Sequence, residues 1–79
     1  MNNSLETNFD GPATYQISVS GAISTRLENR LGGMFISINA KARPAVSTLT
    51  GELMDQAALS GVLNTLFDHR LIVISVLKL

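Results

Sequence analysis

His69 is the single histidine of the chain, and Asp68 beside it completes the nearest approach to a proton-handling or metal-binding pair. Two adjacent residues do not make a metal site. Zinc takes three or four nitrogen, sulfur or oxygen ligands, and no cysteine is present to complete a set. In the last turn of a helix a histidine suits the negative end of the helix dipole, and His69 is placed for that role. Asp55 has the opposite one: it precedes an apolar-periodic run, and its carboxylate can accept a hydrogen bond from the free amides of the first turn. It reads as an N-cap rather than a catalytic acid. Gln56 follows at the mouth of the same helix, where a side-chain amide can touch a ligand. Asp55, Gln56 and the loop amides at Gly21 are the ligand-contacting candidates. Gly21, Gly32, Gly33 and Gly51 form no phosphate-cradling loop, because no Gly-x-x-x-x-Gly-Lys pattern occurs. The residues define no catalytic constellation, no metal site and no cofactor site, so the chain is expected to be a non-enzyme.

Composition narrows the partners. The 79 residues allow one domain, and at this size a single core rarely supplies more than roughly 3–5 kcal/mol, so a further source of stability is expected. Without cysteines that source cannot be a disulfide, and self-association is the remaining one. Six basic and six acidic residues give a formal net charge of zero, which removes any global pull towards nucleic acid or an anionic membrane. Charged residues are 15% and hydrophobic residues 46% of the chain, so the monomer surface is poor in charge and a buried patch is expected. No apolar run approaches the roughly 20 residues of a membrane span, and the start lacks the basic and apolar regions of a signal peptide. The protein is expected to be cytoplasmic.

The elements that would position these residues follow from spacing. Residues 1–13 are polar and aperiodic, ending in the turn residues Asp10-Gly11-Pro12, and are expected to form a flexible arm before a single domain over 14–79. Tyr15, Ile17 and Val19 alternate with polar residues in a first strand, Thr14 to Ser20. Ile23, Leu27 and Leu31 predict a short helix capped by Thr25 or Ser24, with Glu28 closing a capping box and Gly32-Gly33 ending it. Met34 to Asn39 and Ala45 to Leu53 read as a second and third strand, joined by a loop carrying Lys41 and Arg43. Gly51 within the third strand suggests a bulge or a close backbone approach. Leu59, Val62, Leu63, Leu66 and Phe67 put one apolar face on a helix over about Gln56 to His69. Leu71 to Leu79 is the most apolar strand of the chain.

Strand, helix, strand, strand, helix, strand implies an α+β fold of the ferredoxin-like βαββαβ plait: a four-stranded antiparallel sheet, order 4-1-3-2, with two helices on one face. The helix side would carry Ile17, Val19, Met34, Ile36, Ile38, Ile72, Ile74 and Val76. The open side would carry Gln16, Ser18, Phe35, Ser37, Val73, Ser75 and Leu77. An RNA-binding use of this sheet is not expected, because on its open side the first strand offers Gln16, Ser18 and Ser20 and the third strand has no aromatic residue on which a base could stack. Gly51-x-Leu-x-Asp-Gln-Ala-Ala-Leu-x-Gly-Val-Leu63, with Leu71 and Ile74-Ser-Val76 after it and Tyr15-x-Ile-x-Val-x-Gly21 before it, resembles a group of short bacterial and archaeal proteins of about this length. That resemblance implies the same plait and supplies no activity and no site residues.

Two uses of such a domain remain. One is a self-associating interaction or regulatory module, a homodimer or higher homo-oligomer. Its interface would draw on Phe35, Val73, Ser75 and Leu77 of the open sheet face, or on the small back face of the second helix at Ala57 and Gly61. The other is a sensor of the ACT-like kind that binds an amino acid or similar small molecule at a subunit junction, through Gly21, Asp55 and Gln56.

Overall fold

Alternation along residues 13–20 buries every second side chain, and this strand is the centre of the molecule. The structure is a computed structural model and describes residues 11–79. The expected arm therefore lies, up to residue 10, outside the described residues, and at Ala13 the chain is already in the sheet. β1 (Ala13–Ser20) buries Tyr15, Ile17 and Val19. A six-residue 3-10 helix follows (Thr25–Arg30), then β2 (Phe35–Asn39), β3 (Val46–Leu53), the helix α1 (Gln56–Asp68) and β4 (Ile72–Lys78). All strand pairs are antiparallel, and the sheet runs β2-β3-β1-β4, or 4-1-3-2 counted from the other edge. Among the described residues the fold is α+β with an open four-stranded sheet and one α-helix.

The expectation of two helices in a ferredoxin-like plait is corrected at the first crossover. Ser24, not Thr25, caps this segment, its hydroxyl accepting from the Arg26 amide at 3.2 Å. The bonds that follow span three residues, Leu27 N–H to Ser24 carbonyl and Leu31 N–H to Glu28 carbonyl. With Gly32 and Gly33 in the left-handed region directly afterwards, too few residues remain for the costly nucleation of an α-helix. The apolar stripe nevertheless does its work: Ile23, Leu27 and Leu31 are all buried.

These three join Tyr15, Ile17, Val19, Met34, Leu49, Leu53, Val62 and Leu66 in one core between the sheet and the helical layer. α1 begins where the N-cap reading placed it, with the Asp55 carboxylate accepting from the Ala58 amide at 2.8 Å. It buries Val62 and Leu66; Leu59 and Leu63 are half-buried, and Phe67 is exposed. Gly51 marks a close approach rather than a bulge, since a β-carbon there would stand 3.1 Å from the Met34 Cα.

The bulge lies instead between β1 and β4. Ser18 faces Ser75 and Val19 faces Val73, leaving Ile74 as the extra residue. One inserted residue inverts the in-and-out order on one side of it. That corrects the reading of the last strand: Val73 is on the core side and half-buried against the core, whereas Ile72, paired with Ser20, belongs to the open face.

Candidate functional site

β1 ends at Gly21, whose φ of 114° is open to glycine and strained for other residues. From here the chain turns back over the sheet edge, and one side chain holds the turn. Ser47 of β3 is the only buried polar residue described in the core, fully inaccessible at the position facing Val19. Its hydroxyl donates to the Gly21 carbonyl at 2.7 Å and accepts from the Ile23 amide at 3.0 Å, while the Gly21 amide donates to the Ala45 carbonyl at 2.6 Å. Sequence reasoning passed Ser47 over. The available signal was a hydroxyl in the inward phase of a strand whose other inward positions are Leu49, Gly51 and Leu53.

At the far side of this turn α1 closes. The Leu71 amide donates to the Leu66 carbonyl and the Arg70 amide to the Phe67 carbonyl, the paired bonds of a Schellman end, with Arg70 at φ 61° where glycine is usual. Replacing Arg70 with glycine is expected to raise stability by about 1 kcal/mol, because the left-handed conformation penalises a β-carbon by about that amount. An unchanged urea midpoint for Arg70→Gly would show that the arginine side chain offsets the strain with contacts of its own.

Between the two turns lies a cleft of about 330 Å³ lined by Ala22, Ser24, Arg26, Leu27, His69 and Leu71. None of the ligand-contacting candidates lines it; Gly21 precedes the lining residue Ala22, and a β-carbon at Gly21 would stand 3.1 Å from the side chain of Leu71, which also lines it. Asp55 and Gln56 are at the opposite end of the molecule. Ala13 pairs with Leu53 and Ser20 with Val46, so the entry to α1 and the loop at Gly21 are separated by the length of β1, roughly 25 Å at about 3.3 Å per residue. The structure does not bring the three together. His69, read as a dipole-complementing residue, is the exposed C-cap of α1 and also borders the cleft.

Three cross-strand rows span all four strands on the open face of the sheet. Phe35, Thr50, Gln16 and Leu77 form one; Ser37, Thr48, Ser18 and Ser75 form the next; Asn39, Val46, Ser20 and Ile72 form the third. None of these side chains is charged, and a further pair on the same face, Thr14 with Glu52, adds one exposed carboxylate. Phe35 is 72% exposed at one margin, and Ile72 is 69% exposed at the other. Phe35, Ser75 and Leu77 are thus placed on the open face as read from the sequence, and Val73 is not. β4 is an edge strand, and besides Ile72 it exposes Ile74, Val76 and Leu77, with Leu79 beyond its end. On α1, Ala57 and Gly61 are exposed, and nothing lies within 4 Å of where a Gly61 β-carbon would be. Nothing within the described residues therefore calls for glycine there.

Among the described residues no group of three or more His, Cys, Asp or Glu could hold a metal, and no helix is long and apolar enough to cross a membrane. The sequence matches, over residues 14–77, the family described as a domain of unknown function (DUF8691), and the chain belongs to that family. No curated protein and no solved structure is matched.

Proposed function

We propose that this member of the DUF8691 family is a non-enzymatic, self-associating interaction module, and that a second copy of the chain covers β4. The observation that carries this reading is the exposed apolar edge: Ile72, Ile74, Val76 and Leu77 lie along one strand whose outer main-chain groups have, among the described residues, no strand beside them. Natural sheets guard such edges with lysine, proline, brevity or a bulge; β4 has the bulge at Ile74 and none of the others from Ile72 to Leu77. Here the edge runs for seven residues with one charge, Lys78, at its end. An antiparallel pair of β4 strands about a two-fold axis satisfies the main-chain groups and buries the isoleucines against their own copies. It also sends the two Lys78 side chains to opposite ends, and a net charge of zero adds no repulsion between copies. Sedimentation equilibrium over about a hundredfold dilution tests the reading. A dimer mass that falls only at the lowest concentrations is expected; a monomer throughout would overturn it.

A second reading, a small-ligand sensor of the ACT-like kind, draws support from the cleft beside Gly21. Within one chain Asp55 and Gln56 are too far from that loop to share one small molecule, so this reading needs them from a second copy at a subunit junction.

A further inference from the structure

We propose that the cleft between the Gly21 loop and the end of α1 is a binding site for a small carboxylate with a short apolar body. The site is formed within one chain, so it stands whether or not the chain self-associates. Its volume, about 330 Å³, is at the lower end of the ~300–1,000 Å³ of small-molecule sites and suits a ligand the size of an amino acid or a short branched acid.

The lining divides by chemistry. Leu27 is buried beneath it, and Ala22 and Leu71 complete an apolar surface. Against this stand Arg26, His69 and Ser24. The Arg26 guanidinium offers a planar fork of donors matched to a carboxylate, and the His69 ring offers a further N–H. The Ser24 hydroxyl already accepts from the Arg26 amide, which leaves its own proton for an acceptor in the cleft. No aspartate or glutamate lines the cleft, and among the described residues neither Arg26 nor His69 is paired with a carboxylate. The negative end of α1 lies nearby and would oppose an anion. Its force is reduced, because the carbonyls of Thr65, Leu66 and Phe67 are already bonded to the amides of residues 69–71. A guanidinium on an apolar floor therefore selects for negative charge joined to a few carbons.

The test is a titration of the full ¹⁵N-labelled chain with three probes: sodium isovalerate, its neutral analogue isovaleramide, and inorganic phosphate. Isovalerate is expected to produce saturable shifts confined to the amides of residues 21–27 and 69–71. Isovaleramide and phosphate, each lacking half of the recognised chemistry, are expected to bind at least about tenfold more weakly, the amide through loss of a charge-assisted contact and phosphate through loss of the buried hydrocarbon. Arg26→Gln should weaken isovalerate by a similar factor while leaving the rest of the spectrum in place, since the Arg26 side chain is exposed and only its backbone amide serves the cap. Equal response to isovaleramide would remove the anion recognition. Equal response to phosphate would remove the apolar selection. Absence of shifts with all three probes, or Arg26→Gln binding isovalerate as the parent does, would overturn the site.

Discussion

Ser47→Ala is expected to destabilise the domain by about 2–4 kcal/mol, although it removes a single oxygen atom. The hydroxyl serves two backbone groups at once, the part-buried Gly21 carbonyl and the buried Ile23 amide, and a buried group left without a partner costs about 1–3 kcal/mol. Water has little access to replace it, because Ser47 is fully inaccessible and flanked by Val19 in the core. For a domain of this size the loss is most of the available stability, and the melting temperature should fall by roughly 10–25 °C. Urea titration should show the midpoint falling with the slope unchanged. Ser18→Ala is the control: its hydroxyl is on the open face, and a change within about 0.5 kcal/mol is expected. If Ser47→Ala unfolds at the parental midpoint, the loop at Gly21 finds other partners and the staple is not what holds it.

Ile74→Lys is expected to convert a dimeric chain to a monomer across the whole concentration range. The bulge turns Ile74 out of the alternation of β4, and at 57% exposed it contributes little to the core. A lysine there changes the edge and spares the fold. In a two-fold pair each substitution is introduced twice, and placing like charges together in an apolar contact costs several kcal/mol, roughly a hundredfold or more in dissociation constant. Phe35→Lys, on the open face beside the opposite edge, separates edge pairing from face packing. It should leave the mass of the dimer unchanged if the β4 edge carries the interface. Parental mass for Ile74→Lys would sink the edge as the interface, and loss of the dimer in Phe35→Lys would move it to the open face.

Much of this molecule is present in local sequence. Period-two alternation at Tyr15, Ile17 and Val19 predicts β1 and its buried side, and Asp55 before a 3.6-residue apolar repeat predicts the start of α1. Such features depend on near neighbours along the chain, so the order of residues determines them. Phe35, Ser75 and Leu77 on the open face follow from the same rule.

Four features were decided only in the folded chain. The bulge at Ile74 moves Val73 to the core and Ile72 to the open face, and it exists because β4 must register against β1, more than fifty residues away in sequence. Ser47 acquires its role from Gly21 and Ile23, which reach it only when β3 pairs with β1. Arg70 ends α1 in a conformation that glycine would advertise and arginine does not. The cleft likewise joins Ser24 and Arg26 to His69 across the chain, whereas antiparallel pairing puts Gly21 at the opposite end of β1 from Asp55 and Gln56, so within one chain they do not meet. Periodicity specifies which face a residue occupies within its own element; which distant residue it meets is decided by strand register, and register is a property of pairs of elements.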